Sequence, residues 1–253
     1  KVIPHKVRRQ IADWRQAIAR ELSRETVGGL SEGNQVEIYY DGDRVFEAML
    51  AAIASAETHI HLEIYMFLSD TVGKTIADAL SKKAAEGISV KVIYDSIGSS
   101  ATDPMQWANM RDAGVSVSEY HPVAPWRKRA SIFGRNHRKN LIVDSKIGFT
   151  GGMNIGNPWS RAQNHENAWR DTQIQVSGPA ATDLDILFTE SWKYCTDETI
   201  QLPFRPLSEP SAVSCPEVSS RGTPSRPVSS PSSFILARIF TKNGDTMIFD
   251  QPS

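Results

Sequence analysis

Cysteine is scarce, with only Cys195 and Cys215 among 253 residues. Two thiols so placed build neither a disulfide framework nor a four-ligand zinc site. Long apolar runs are missing too, since none reaches the roughly 18 residues a bilayer-spanning helix needs. Neither sign of charge dominates: 28 basic side chains face 29 acidic ones, for a formal net charge of -1. That balance excludes a strongly basic nucleic-acid coat protein. No repeat recurs at solenoid spacing. What remains is ordinary globular usage, 40% apolar and 23% charged, which rules out a wholly disordered or fibrous chain. The length allows one large domain or two small ones, with a real core in either case.

Composition divides the chain into three zones. Residues 1–34 read as one amphipathic helical segment, with Ile11, Trp14, Ile18 and Leu22 at helical spacing and an end near Gly28-Gly29. Residues 35–197 alternate strand-like and helix-like patterns. Residues 198–253 are rich in Pro and Ser, as in "PSRPVSSPSS", and hold no sustained periodicity. Phe234 to Phe240 and Thr246 to Phe249 are the segments there that can add short strands.

The middle zone predicts an α/β domain, a sheet covered by helices. Strands are expected at Val36–Tyr40, Ile60–Phe67, Val90–Tyr94, Val115–Glu119, "HRKNLIVD", "KIGFT" and "TQIQV". Helices are expected from Asp43, as a cap, to about Ala56, then at Val72–Glu86, Pro104–Ala113 and Pro179–Tyr194. Gly87 and Gly114 stop two of them. Strand order is not encoded in such a pattern.

Chemistry concentrates in "NHRKNLIVDSKIGFTGGMNIG", Asn136 to Gly156. His137 and Lys139, two apart at the start of a strand, leave the same face of a sheet. An imidazole beside an ammonium suits a core badly, because burial and like charge both oppose protonation. It suits a phosphate well: the lysine holds the anion as a point charge, and a neutral histidine can attack phosphorus. Asp144 has the opposite parity at the strand's end and is expected to brace the turn. Gly151 and Gly152 allow close backbone approach, and Asn154 offers an amide donor.

This ordered set resembles the phospholipase D superfamily, with its H-x-K-x4-D motif. His137, Lys139 and Asp144 match the motif and Asn154 matches the downstream asparagine. The wording of "HIHLEIYMFLSDTVGKTIADALSKKAAEGISVKVIYDSIGS", "FTGGMNIG" and "WRDTQIQVSGPA" looks like the bacterial cardiolipin synthase branch, over roughly Gln35 to Tyr194. The resemblance implies a phospholipase D-like mixed sheet with helices on both faces. It also implies phosphodiester transfer through a phosphohistidine, with no metal or cofactor, by two H-x-K motifs facing one another. His137, Lys139, Asp144 and Asn154 would be the catalytic set, joined by an orienting carboxylate for the histidine. Asp171 in "WRD" is the cardiolipin synthase-like choice for that carboxylate. Glu166 in "NHENA" is the alternative, as in short nucleases of the superfamily.

The chain departs from the pattern in one respect. Of its six histidines only His137 has a lysine two positions on, and none follows His165. The resemblance therefore implies a homodimer partner or a second motif-bearing half. The Pro/Ser-rich tail begins where that half would, as a truncated or frame-shifted second half would.

Three further features bear on substrate. Glu63 lies in the apolar run "HIHLEIYMF" and is either a substrate-side carboxylate near Lys139 or a partnered core residue. His59 and His61 share its parity, and an ordinary strand face is favoured over a metal triad. The run Trp126 to Lys139 holds six Lys/Arg, Arg135 among them, and no acid. It should meet an anionic substrate or surface. Arg135, Glu63, Gly151 and Gly152 are thus the substrate-binding candidates. The expected function is a phosphatidyltransferase acting on phosphatidylglycerol, peripheral on the bacterial cytoplasmic membrane. The alternatives are a dimeric nuclease-type phosphodiesterase, for which nucleic acid is the less favoured partner, and an inactive half-enzyme.

Overall fold

The apolar run around residue 62 becomes the centre of the sheet. In the computed structural model, which describes residues 33–202 together with 237–240 and 246–249, His59–Ile64 forms β2, and all six of its residues are buried. A strand buried on both faces must be covered on both, and two clusters of core residues do this.

The strands are β1 (Gln35–Tyr39), β2, β3 (Ser89–Asp95), β4 (Ser116–Tyr120), β5 (Lys139–Val143), β6 (Ile147–Gly151) and β7 (Gln173–Ser177). They form one mixed sheet in the order β1-β7-β6-β5-β2-β3-β4. β2, β3 and β4 run parallel, and the remaining neighbours pair antiparallel. Parallel neighbours need crossovers. Helices α2 (Thr71–Ala85) and α3 (Pro104–Asp112) supply them. With α1 (Gly42–Ala54), they cover the face carrying Ile60, Leu62, Leu141 and Phe149. The other face carries Ile93, Ile142, Ile174 and Val176 and packs on Ala181, Leu184, Phe188 and Trp192 of α5 (Pro179–Thr196), the long helix that follows a single turn, α4 (Arg161–Asn164). Helices thus lie on both faces of the sheet.

The expected elements occur with shifted ends. Gly87 and Gly114 adopt the left-handed φ values of 92° and 97° that end α2 and α3. The α1 cap differs from expectation. Asp41, not Asp43, accepts from the first-turn amides of Asp43 and Arg44. Asp43 instead reaches across to Ser160 and the Ala162 amide, tying α1 to a distant turn. The helix expected within residues 1–34 lies outside the described residues, as does most of the tail. Within the tail, β8 (Ala237–Phe240) and β9 (Thr246–Phe249) pair antiparallel.

The β5–β6 turn shows why a carboxylate follows β5. Asp144 and Ser145 have φ of 53° and 52°, and Lys146 N–H closes on Val143 C=O at 2.9 Å. Two successive left-handed residues make the turn that best matches strand twist. The Asp144 carboxylate accepts from the amides of Glu57, Thr58 and His59 and from the Thr58 hydroxyl, at 2.6 to 2.9 Å. It therefore locks this turn to the entry of β2. Partial burial pushes its pKa up, but these bonds outweigh burial and the pKa falls below the usual carboxylate value. The stabilisation is present above the ordinary carboxylate range and is lost as pH drops through the depressed value. Asp144→Asn tolerates the same backbone and removes the charge. It should cost about 1–3 kcal/mol in urea unfolding at pH 7, with the difference vanishing in acid. A cost that persists unchanged at low pH would contradict this account.

Candidate active site

The start of β5 lies where β2 and β3 end and β7 begins. Lys139 opens β5 opposite Ile64 and shares its face of the sheet, while His137 sits two residues earlier, before the ladder begins. Both side chains meet Tyr65. The Tyr65 and His137 rings are edge to face at 4.6 Å, and the Lys139 Nζ lies 5.3 Å from the Tyr65 ring centroid. The ammonium also donates to the His137 carbonyl at 2.6 Å. Imidazole and ammonium therefore project to one side together, against an aromatic wall the sequence reading did not single out.

The electrostatics follow from burial. Lys139 is buried, and desolvation pulls its pKa down to about 7, opposed by the negative charges of Asp171 and Asp95. His137 is half-buried. Its pKa is lowered first by desolvation and then by Lys139, with Asp95 working the other way. The imidazole is consequently neutral at pH 7, the state a nucleophile requires. Asp171 is pushed up by burial, against its bond from the Thr172 amide and the charge of Lys139.

Two further residues position this pair. Asp95, fully buried at the end of β3, accepts from the amides of Ile97, Gly98 and Asn136 and from the Arg135 guanidinium. It holds the two residues that lead into His137. Gln173, fully buried at the start of β7, donates to the Lys139 carbonyl and accepts from the Met153 amide, joining β5 to the Gly-Gly turn. Asp95 stands in the quoted "VIYDSIGS", where a buried strand ending in a carboxylate before a Ser/Gly turn was a readable signal. Gln173 had none.

Several expected site residues are placed otherwise. Arg135 is not open to substrate, because its guanidinium is engaged by Asp95, Ser96 and the carbonyls of Tyr120, His121 and Ser131. Glu63 pairs with Asn140 on the opposite face of the sheet from Lys139. It is fully buried, accepts from Asn136 Nδ2 at 2.6 Å and lies 3.6 Å from Arg138. Burial raises its pKa, with Arg138 and Asn136 opposing, so it is the partnered core residue of the two readings. Asp144 lies at the other end of β5 from His137, where it braces the turn as the parity expectation had it, and does not join His137 and Lys139.

Space at the Gly-Gly turn is already occupied. A Cβ on Gly152 would fall 2.1 Å from the Asp171 carboxylate, and one on Gly151, at φ 154°, 2.4 Å from the Thr172 carbonyl. The glycines make room for Asp171 and the start of β7. Among the described residues neither Asp171 nor Glu166 hydrogen-bonds the His137 ring. Asp171 acts on Lys139 by charge, and Glu166 is exposed on the short turn His165–Asn167. Asn154 Oδ1 accepts from the Met66 amide at 3.0 Å, which fixes the side chain beside the end of β2 and leaves its NH2 as the donor end.

His59 and His61 do meet a carboxylate, but it is Asp185 of α5. His59 Nε2 and His61 Nδ1 lie 2.8 and 2.5 Å from its two oxygens, with Ser145 Oγ donating as well. One ligand atom from each of the three residues lies within 4.8 Å of the others, so the set could hold a metal. Each histidine nitrogen so placed is already satisfied by Asp185, however, and the cluster sits at the far end of β2 from Tyr65. Burial lowers the His61 pKa, and bonds from both histidines carry Asp185 well below the carboxylate range despite its own burial.

A mixed sheet between helices, with a neutral imidazole and a buried ammonium side by side at the start of a central strand, defines a phospholipase D-like domain. Residues 49–192 match the family model described as cardiolipin synthase, PLD-like domain, and the chain belongs to that family. It is 37% identical to cardiolipin synthase A of Pseudomonas putida over 179 residues, 71% of this chain and 36% of that one. With cardiolipin synthase 1 of Bacillus anthracis the identity is 35% over 169 residues, 67% and 33% of the two chains. The chain thus spans about a third of the length of these relatives. NucT from Helicobacter pylori superposes with a TM-score of 0.50 over 64% of this chain and 98% of that one, at 19% identity, a likeness of fold alone.

Lys139 gives the site a measurable signature. An unfolded lysine binds its proton up to about pH 10.5, and the folded one only to about 7. Wild-type stability should therefore rise with pH across that window. Lys139→Met lacks this dependence. Measured by urea unfolding, it should gain on wild type as pH falls from 10 to 6, by up to roughly 5 kcal/mol. A difference that does not change with pH would show that the ammonium is not desolvated.

Proposed function

We propose that the chain supplies one half of a phosphatidyltransferase site of cardiolipin synthase type, with residues 35–197 as the phospholipase D-like domain. The observation that carries the reading is the convergence of His137 and Lys139 on Tyr65, with the imidazole neutral and the ammonium buried. His137 attacks the phosphorus of phosphatidylglycerol, a P–N bond forms, and the P–O bond to glycerol breaks. A second histidine, from another copy or from a second motif-bearing half, protonates the departing glycerol oxygen. That histidine then takes the proton of another phosphatidylglycerol hydroxyl, whose oxygen attacks phosphorus, breaks the P–N bond and returns His137 to its neutral state. Lys139 and the Asn154 amide hold the phosphoryl oxygens as charge builds on them. A bound phosphate raises the Lys139 pKa, so near pH 7 its arrival draws a proton onto the site.

Attack and departure occur on opposite sides of one phosphorus. One imidazole cannot stand on both, which is why a second His-x-Lys pair is required. The partner is therefore a protein of the same design, and the substrate an anionic phospholipid met at the cytoplasmic membrane surface. Family membership supports this reading. No helix among the described residues is long and apolar enough to cross a membrane.

Turnover of phosphatidylglycerol to cardiolipin in mixed micelles, followed with the oligomeric state, tests the proposal. Activity should persist in chelator and reside in the paired species. His137→Asn should lower it about a thousandfold or more with unfolding unchanged. Acid-labile phosphohistidine should be trapped on wild type alone. A well-folded dimer without turnover, or full activity of His137→Asn, would overturn the reading.

A further inference from the structure

The segment between β4 and β5 displays large apolar side chains in water. Val123, Trp126, Ile132 and Phe133 are 52, 86, 63 and 77% exposed within eleven residues. Scattered exposed apolar residues are ordinary, but such a concentration marks a contact surface.

The segment is nonetheless tightly built. Backbone bonds run from Arg127 to Ala124, Ala130 to Arg127 and Ser131 to Pro122. The Phe133 amide donates to Ser131 Oγ, and its carbonyl faces both that hydroxyl and His121 Nδ1. The guanidinium of Arg135 satisfies the carbonyls of His121 and Ser131. The apolar side chains are thus held out by a loop whose peptide groups are in part paired internally, which lowers the cost of entering a poorly hydrated medium.

Charge identifies the medium. Residues 121–138 contain no acid, and Arg127, Lys128 and Arg129 sit between the apolar positions. Glu119 faces Arg127, and Asp197 faces Lys128 and Arg129. The Lys128–Asp197 pair is exposed on both sides and contributes little, so it exchanges readily for phosphate, and the Arg127 guanidinium is half exposed. Arg129, by contrast, also donates to the Cys195 carbonyl and lies over the Tyr194 ring, which anchors the loop to the domain. Protein–protein contacts have cores depleted in lysine, whereas Trp and Phe mixed with Lys and Arg match the boundary between headgroups and acyl chains.

We propose that residues 121–133 are a membrane-docking loop. Trp126, Ile132 and Phe133 enter the headgroup–acyl boundary of an anionic bilayer, while Arg127 and Lys128 take lipid phosphates. The loop runs directly into Arg135 and His137, so docking sets the imidazole at the level of the phosphodiester it would attack. The proposal rests on the lipid reading of the site and names the surface on which that lipid is met.

Co-sedimentation with phosphatidylglycerol vesicles, against phosphatidylcholine alone, reads binding without activity. Wild type should bind the anionic vesicles and weaken with salt. The Trp126→Ser, Phe133→Ser double variant should lose roughly a hundredfold in partition coefficient. Brominated acyl chains should quench a fraction of the tryptophan fluorescence, and that fraction should disappear in Trp126→Phe while binding is kept. Failure of wild type to bind, unchanged partitioning of the double variant, or undiminished quenching of Trp126→Phe would each overturn the loop. A double variant that dissociates a dimer yet binds vesicles normally would overturn it too, and make this surface a protein contact. Vesicle binding without turnover would sink the transferase and leave the loop. Turnover in micelles with binding indifferent to the substitutions would do the reverse.

Discussion

A buried ammonium with no carboxylate bonded to it governs the arrangement around the start of β5. Lys139 has no ion pair among the described residues and gives a hydrogen to the His137 carbonyl instead. Asp171 and Asp95 act on it only by charge. A fully paired lysine would have little left for a substrate, and an unpaired one would lose its proton. This intermediate state, with a pKa near 7, is the one the proposed phosphate would complete. The Lys139 charge adds to the desolvation that lowers the pKa of the neighbouring imidazole.

Much of the nearby polar chemistry serves that state indirectly. Asp95 and Arg135 clamp the chain entering His137, Gln173 ties the Lys139 carbonyl to the turn after β6, and the two glycines let Asp171 approach the backbone. These groups are committed to one another and not to a ligand. The opposite face of the sheet holds separate polar clusters, Glu63 with Asn136 and Arg138, and Asp185 with two histidines. Both lie on the far side of the sheet from Lys139, so the sheet separates these clusters from the His137–Lys139 pair.

The relatives are about twice as long as this chain, and the match covers about a third of their length. On the proposed mechanism, in-line displacement at phosphorus makes such a portion half a site. Docking by the loop before His137 would add a second constraint, because two sites meeting at a bilayer must present their histidines at the same depth.

Local pattern was enough for most of the secondary structure, because two-residue and helical periodicities are properties of neighbouring residues. It was enough for the shared side of His137 and Lys139, a matter of parity, and for Asp144 as a turn brace. Strand order, the Asp185 carboxylate that meets His59 and His61, the loss of Arg135 to an internal network and the role of Tyr65 as the wall of the site were not legible. The deciding contacts join residues far apart in the chain, 126 positions for His59 with Asp185 and 40 for Arg135 with Asp95, and nothing in a local window records which distant group will satisfy a buried charge. The sequence alone determined which chemistry the chain carries. Tertiary structure decided which of those charged groups remain unpaired, because pairing is settled by what folding brings within hydrogen-bond reach.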